Sequence, residues 1–235
     1  LMSGADIVLE SLKRIGVDTV FGYPGGVVLP LYDRFPARPE VRHILVRHEQ
    51  AAGHAADGYA RASGRLGVAL ATSGPGATNL VTAITTAHMD SVPTLFITGN
   101  VGRELLGRDG FQEADITGIT MPIVKHNYLV MRAEDLAYTF AEAAYIATTG
   151  RKGSVHIDIP KDVFLEQAEF VWPDKVEIRG YRPQTVGETA LIEEAAAIIN
   201  AAERPIIFAG HGIILGDAAP ELRDFAEKTG TPVLN

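Results

Sequence analysis

The sequence predicts an α/β fold in which a parallel β-sheet is flanked by helices on both faces and is followed by the start of a second α/β domain. Two observations lead to this prediction. Short apolar runs typical of strands alternate along the chain with longer amphipathic or alanine-rich runs typical of helices. Several of the apolar runs end in glycine-rich turns. Such alternation is typical of parallel sheets whose connecting helices cover both faces.

The elements of the first domain follow from these patterns in chain order. An amphipathic helix comes first, and alanine- and glycine-rich runs predict helices that pack closely on a sheet. The apolar run before Glu49 predicts a buried strand. The predicted helices cover residues 5–15, 27–35, a segment that begins near 49, 77–88 and 135–148. The predicted strands cover residues 19–21, 41–46, 66–71, 94–98, 123–131 and 154–159.

A charged, proline-bearing stretch interrupts this pattern and predicts a linker. We therefore expect a first domain at residues 1–168, a linker at 169–187 and the beginning of a second domain at 188–235. Because a stable sheet usually needs three or more strands, the second domain is expected to be truncated at its end. Its predicted elements are a helix at 188–202, a strand at 205–209, a helix at 219–228 and a strand at 232–234.

The composition argues against several classes of function. Of the 235 residues, 46% are hydrophobic, so the chain can bury a core, and the net charge is −8. An acidic chain lacks the basic face that nucleic acids and anionic membranes require, so we expect neither as a partner. Cysteine is absent, which excludes disulfides and cysteine-based metal sites. The chain has no apolar run as long as a membrane span and no secretory leader pattern, which predicts a cytoplasmic protein.

Glu49 is the first catalytic candidate because it lies between a predicted strand and a predicted helix. Ligands of open α/β sheets bind at the carboxyl ends of parallel strands, and burial there raises a carboxyl pKa toward values useful for proton transfer. A glutamate in the first turn of a helix also complements the helix dipole without any chemistry. Position alone leaves both interpretations open.

Three glycine-bearing turns follow predicted strands. Glycine permits positive φ and lets a ligand approach the backbone, although tight turns use it for purely structural reasons. The turn at residues 74–79 does not fit a dinucleotide fingerprint, because its third small residue and the acidic residue about 20 positions later are missing. The three turns lie at residues 22–26, 73–79 and 210–212.

Several motifs together resemble one family, the large subunit of acetohydroxyacid (acetolactate) synthase, a thiamine-diphosphate-dependent enzyme. The resemblance extends along essentially the whole chain, in order and at compatible spacing. It depends on Phe21-Gly22-Tyr23-Pro24-Gly25-Gly26, His48-Glu49-Gln50, Gly58-Tyr59-Ala60-Arg61, Ser73-Gly74-Pro75-Gly76-Ala77-Thr78-Asn79, Phe111-Gln112-Glu113-Ala114-Asp115, Lys125-His126 and Pro160-Lys161-Asp162-Val163.

The resemblance implies a role for each motif. Glu49 would hydrogen-bond a ring nitrogen of the aminopyrimidine and favour the tautomer that removes the thiazolium proton. The reaction would decarboxylate pyruvate and add the two-carbon unit to a second 2-keto acid, a step of branched-chain amino acid synthesis. Gly25, Gly26 and Gln112 are the other implied catalytic residues. Pro24, Gly74 and Asn79 would bind the cofactor, and Phe111 and Lys161 would line the substrate channel.

The resemblance also implies further cofactors and partners. The first domain would bind the pyrimidine of thiamine diphosphate, and the second would be the central domain associated with FAD, which Arg151, Gly210 and Gly212 would contact. Mg²⁺ is implied with no ligand in this chain, because the family's Gly-Asp-Gly segment with its later Asn is missing. The chain is therefore expected to be an N-terminal part with little activity alone. A homodimer or tetramer is implied, with a regulatory small subunit as a further partner.

Two alternatives remain open from the sequence. Another flavin-bearing enzyme of the same cofactor class, such as pyruvate oxidase, would share Glu49 and the glycine turns. A non-catalytic nucleotide-binding module would keep the fold but would not need that carboxylate. The histidines do not have metal-ligand spacing, although His48 lies next to Glu49 and is a candidate for proton transfer. Asn100 and Lys152 depart from the residues that the family usually has at these positions.

Overall fold

A six-stranded parallel sheet forms the centre of the first part of the chain, which confirms the predicted fold class. The computed structural model describes all 235 residues, and they divide into two compact units, Leu1–Arg182 and Pro183–Asn235. The strands of unit 1 are β1 (Met2–Ser3), β2 (Thr19–Gly22), β3 (Arg42–Leu45), β4 (Gly67–Ala71), β5 (Thr94–Asn100), β6 (His126–Leu129), β7 (Ser154–Pro160) and β8 (Gln167–Ala168). Its helices are α1 (Gly4–Arg14), α2 (Leu29–Tyr32), α3 (Glu49–Ser63), α4 (Pro75–Thr78), α5 (Val81–Met89), α6 (Ile116–Thr120), α7 (Leu136–Thr148) and α8 (Lys161–Leu165).

The sheet has the strand order β3-β2-β4-β5-β7-β6, and every neighbouring pair is parallel. The carboxyl ends of all six strands therefore lie along the same edge of the sheet. Strands β1 and β8 form a separate antiparallel pair, which the sequence analysis did not predict. This pair joins the start of unit 1 to the segment that follows β7.

Helices cover both faces of the sheet, and each face has its own hydrophobic core. On one face α1 and α7 pack over the sheet with buried side chains such as Ile7, Phe140 and Ile157. On the other face α3 and α5 pack over Phe96. The packing of α3 against α5 on this second face is close, because the contacting residues are alanine and glycine. A Cβ on Gly53 of α3 would overlap with the side chain of Ala83 in α5.

Residues 41–46 contain the predicted strand, β3, but the prediction that this strand is buried was wrong. Strand β3 is at the edge of the sheet and pairs only with β2, so one side of it remains accessible. Leu45 is 64% exposed, and Arg42 is also exposed. An apolar run indicates a strand but does not indicate whether a neighbour lies on both sides of it.

Two predicted helices are shorter in the structure. The predicted helix at 27–35 is reduced to α2, followed by a 3₁₀ turn at Phe35–Ala37 that contains a proline. The predicted helix at 77–88 is divided into α4 and α5, with Asn79 and Leu80 between them. The break between α4 and α5 matters for the candidate site, because the side chain of Asn79 contacts Glu49 of α3.

The segment after β8 packs against unit 1 as far as Arg182. Phe170 and Trp172 stack with ring centroids 6.1 Å apart and lie against the core. The hydroxyl of Tyr181 donates to the carbonyl of Thr149 at 2.9 Å. Lys125 donates to the carbonyls of Ile146 and Thr149 at the end of α7, where a cation complements the helix dipole. The predicted domain limits at 168 and 188 stay a prediction.

Unit 2 contains a short parallel pair of strands and three helices. The pair joins Ile207 to Val233. Its elements are α9 (Thr189–Ala201), β9 (Ile207–Phe208), α10 (Gly212–Leu215), α11 (Ala219–Thr229) and β10 (Val233–Leu234). Across both units, no helix has the length and apolar character that crossing a membrane would require.

Candidate functional site

The strand order places a ligand-binding crevice between β2 and β4. From β2 the chain continues to β3 on one side and then returns to β4 on the other side, so the order of the strands reverses there. Open α/β sheets bind ligands at the carboxyl ends of strands at such a switch point. The segment after β2 contains Gly25, and the segment after β4 contains Thr72 and Gly76. The candidate site is therefore built around these two segments.

Glu49 is the first residue of α3 and faces this crevice. It is only 9% exposed, and its Oε2 accepts a hydrogen bond of 2.9 Å from Nδ2 of Asn79. Its Oε1 is 3.3 Å from the position that a Cβ on Gly76 would occupy. His48 caps α3 by accepting a 3.1 Å bond from the backbone N–H of Gln50. A buried carboxylate is thus fixed at a helix N-terminus, beside the glycine turn that follows β4.

Two glycines and a threonine line the crevice next to Glu49. A Cβ on Gly25 would overlap with Thr72 and would lie 2.6 Å from its Oγ1. A Cβ on Gly76 would lie 2.7 Å from Cγ2 of the same threonine. A larger residue at either position would therefore collide with Thr72, so the glycines allow the two segments to pack closely against that side chain. We call Gly25, Gly76 and Thr72 the glycine cradle.

The hydroxyl of Thr72 has no hydrogen-bond partner within the protein. The residue is 8% exposed, and its Oγ1 is buried and unpaired, as is the hydroxyl of Ser73. Buried polar groups without partners are uncommon, because each costs about 1–3 kcal/mol. A polar ligand in the cradle would supply the missing partner. Thr72 was not among the residues predicted from the sequence, although it is the first polar residue after the apolar run at 66–71.

The structure brings Gln112 against the turn at Gly74. Gly74 has φ of +55°, and a Cβ on it would lie 2.6 Å from the backbone oxygen of Gln112. Gln112 itself has φ of +58°, a conformation that costs a non-glycine residue about 1 kcal/mol or more. Phe111 next to it is 88% exposed. The segment carrying the two predicted residues is therefore bent sharply at the edge of the site.

Pro24, Gly26 and Lys161 follow strands whose carboxyl ends lie at the same edge of the sheet, and none of them hydrogen-bonds to Glu49. Pro24 is half-buried in the segment after β2, and Gly26 is exposed. A Cβ on Gly26 would meet nothing within 4 Å, so steric crowding within this chain does not explain why a glycine occupies this position. Lys161 is exposed and begins α8, directly after β7.

Arg151 does not belong to this cluster. Arg151 precedes the start of β7 and therefore lies at the opposite edge of the sheet from Glu49. Its Nε donates to Oγ of Ser91 at 2.8 Å, and its Nη2 donates to a backbone oxygen at 3.3 Å. Gly210 and Gly212 are in unit 2, around the start of α10. No group of three His, Asp or Glu side chains is arranged to bind a metal.

A buried polar network lies under the carboxyl ends of β5 and β7. The hydroxyl of Thr98 donates to Oδ1 of Asp158 at 2.5 Å and lies 2.8 Å from Nε2 of His156. Asn100 donates to Oδ2 of Asp158 at 2.5 Å, and Thr120 of α6 lies 3.1 Å from Nδ1 of His156. Burial lowers the pKa of His156 to about 3 and, outweighing these hydrogen bonds, raises the pKa of Asp158 to about 6. This network was not predicted from the sequence, because its members lie far apart in the chain.

His156 and Asp158 are expected to give the free energy of unfolding opposite dependences on pH. Between pH 3 and 6.5 folded His156 binds fewer protons than unfolded His156, so its contribution falls as the pH falls. Between pH 3.8 and 6 folded Asp158 binds more protons than unfolded Asp158, so its contribution rises as the pH falls. As the pH falls from 7 to 5, the free energy of unfolding of His156→Gln should therefore rise relative to that of wild type. The free energy of unfolding of Asp158→Asn should fall relative to that of wild type. Each change is at most about 1.4 kcal/mol per pH unit.

Urea unfolding at pH 7, 6 and 5 measures these slopes. The His54→Gln variant is a suitable control, because that histidine is exposed on α3 and lies outside the network. Equal slopes for the His156 and Asp158 variants would contradict the assignment.

The chain matches known proteins along its length. Residues 2–119 match the family model described as thiamine pyrophosphate enzyme, N-terminal TPP binding domain. Residues 192–235 match the model of the central domain of thiamine pyrophosphate enzymes.

Curated relatives and a solved structure agree with these matches. The chain is 54% identical over 233 residues to an acetolactate synthase of Mycobacterium bovis, covering 99% of this chain and 38% of the relative. It is 54% identical to the acetolactate synthase large subunit of Corynebacterium glutamicum, covering 99% of this chain and 37% of the relative. An X-ray structure from Mycobacterium smegmatis, assigned to the thiamin diphosphate-dependent enzymes, has a TM-score of 0.87 and 26% identity, covering 99% of this chain and 44% of that one. The chain thus spans less than half of each, and the resemblance inferred from the motifs is confirmed.

Proposed function

Because this chain belongs to the thiamine pyrophosphate enzyme family, we propose that it is the pyrimidine-binding part of an acetolactate synthase. The proposed reaction decarboxylates pyruvate and joins the two-carbon unit to a second 2-keto acid. The observation that carries the proposal is the buried carboxylate of Glu49 beside the glycine cradle. The acetolactate synthases of the two bacteria named above, both 54% identical to this chain, support the choice of reaction.

The residues present fit the aminopyrimidine of thiamine diphosphate. When bound, this cofactor supplies the carbon nucleophile and the electron sink for the decarboxylation. Glu49 would hold a proton at a ring nitrogen through Oε1, the oxygen that faces Gly76. The unpaired hydroxyl of Thr72 offers a further hydrogen bond. Gly25 and Gly76 present backbone without a side chain beside Glu49 and Thr72, as the close approach of a flat ring would require.

We propose that Gln112, Phe111 and Lys161 act on the substrate side. Gln112 lies against Gly74, two residues before Gly76 of the cradle. Phe111 is a large exposed apolar side chain beside it, suited to cover a small ligand. Lys161 carries a cation at the same edge of the sheet, where the carboxylate of a 2-keto acid would find a charge partner.

The remaining predictions about cofactors and partners stay proposals. We propose Mg²⁺ for the diphosphate, held by residues outside this sequence, and FAD in association with residues 188–235. An oligomer is the proposed active form, a dimer or tetramer of this chain. A regulatory small subunit is a proposed partner, because the Corynebacterium glutamicum relative is named a large subunit. The proposed location is the cytoplasm.

Product analysis of the full-length protein tests the proposal. With pyruvate, thiamine diphosphate and Mg²⁺, we expect acetolactate, and with added 2-ketobutyrate the ethyl homologue. Acetyl phosphate, or acetate with hydrogen peroxide, would instead identify an oxidase of the same family. No turnover of pyruvate and no binding of thiamine diphosphate would contradict both enzyme assignments.

A further inference from the structure

The two carboxylate oxygens of Glu49 have different surroundings. Oε2 accepts the 2.9 Å hydrogen bond from the side-chain amide of Asn79. Oε1 has no protein donor and is the oxygen nearest Gly76. One oxygen is therefore held by the protein, and the other faces the space where a ligand would lie.

The fold places Asn79 for this contact. It lies where the helical segment after β4 is interrupted, between α4 and α5. Its backbone N–H donates to the carbonyl of Pro75 at 3.0 Å, so its main chain is fixed by the turn. Its side chain reaches a residue 30 positions earlier in the chain. The contact thus joins the turn after β4 to the N-terminus of α3.

An amide donor on one oxygen restricts the rotation of a carboxylate. The terminal torsion of a glutamate side chain is broad, so an unrestrained carboxylate would present either oxygen to the cradle in many orientations. A hydrogen bond to a carboxylate is about twice as strong as one between neutral groups, and this one is partly buried. The bond therefore favours one orientation before any ligand arrives.

We propose that Asn79 is a positioning residue that holds Oε2 of Glu49 and thereby directs Oε1 toward the ring nitrogen of the bound aminopyrimidine. This inference rests on the proposed function for the identity of the ring. Asn79 acts through Glu49 and is not itself required to contact the cofactor.

Calorimetric binding of two ligands to the full-length protein tests this role. One ligand is thiamine diphosphate, and the other is its analogue with C–H in place of the ring nitrogen that Glu49 would contact. For Asn79→Leu we expect about tenfold weaker binding of thiamine diphosphate. Binding of the analogue should change much less, because it offers no nitrogen to the directed oxygen. Asn79→Asp, which keeps the shape but places an acidic group opposite Glu49, should weaken thiamine diphosphate binding further.

Two comparisons distinguish positioning from a structural role. In a Glu49→Ala background, Asn79→Leu should have no further effect on thiamine diphosphate binding, since no carboxylate remains to be held. The neighbouring Thr78→Val, whose hydroxyl only donates to the carbonyl of Pro75, should bind both ligands as wild type does. Equal losses for the two ligands, or a loss that persists without Glu49, would overturn the proposal for Asn79. A wild-type protein that binds neither ligand would overturn the proposed function as well.

Discussion

Replacing Glu49 with glutamine is expected to slow hydrogen–deuterium exchange at the thiazolium carbon of bound thiamine diphosphate by at least about 100-fold. Glutamine has nearly the same shape, and its amide oxygen still accepts from Asn79. It cannot accept or release a proton, so the ring nitrogen loses its proton-sharing partner. The measurement is a quenched-flow exchange experiment on the full-length protein, read by NMR.

The Glu134→Gln variant is a matched control for this prediction. Glu134 lies in a short 3₁₀ turn, and its carboxylate is exposed and paired only with Arg132. It should exchange at the wild-type rate. Thermal unfolding of both variants should stay close to wild type, because neither change alters packing. An exchange rate that is unchanged in Glu49→Gln would refute the role assigned to that carboxylate.

Replacing Gly67 with alanine is expected to lower the free energy of unfolding by about 3 kcal/mol or more. Gly67 begins β4 where α3 crosses it. An added Cβ would overlap with the backbone oxygen of Ala56 and would lie 2.8 Å from the carbonyl carbon. A backbone group inside a helix cannot rotate away as a side chain can. The helix would therefore have to move off the sheet, and Glu49 at its N-terminus would move with it.

Gly58→Ala provides the control for this second prediction. Gly58 lies on the exposed face of the same helix, and a Cβ there would meet nothing within 4 Å. Alanine should stabilise the helix interior by about 0.5–1 kcal/mol. Urea unfolding of both variants gives the two free energies. A Gly67→Ala variant as stable as wild type would show that α3 does not depend on this close approach.

The sequence by itself determined the class of fold and the position of most strands, and it identified Glu49 as the first catalytic candidate. Apolar periodicity and turn residues are local properties, and they specify the local backbone wherever packing agrees with them. The position of Glu49 after a strand and before a helix is also local, and the motifs around it were sufficient to identify a family. The glycine turns were located for the same reason.

Only the tertiary structure decided which strands are neighbours and which side chains meet. The edge position of β3, the division of the predicted helix at 77–88 and the pairing of Asn79 with Glu49 all depend on contacts between residues far apart in the chain. Thr72 became a candidate only when its hydroxyl proved to be buried without a partner. The network around His156 likewise arises where two neighbouring strands place their side chains side by side. A pattern in the sequence records the preferences of each segment, whereas the strand order determines which of these segments share an edge of the sheet.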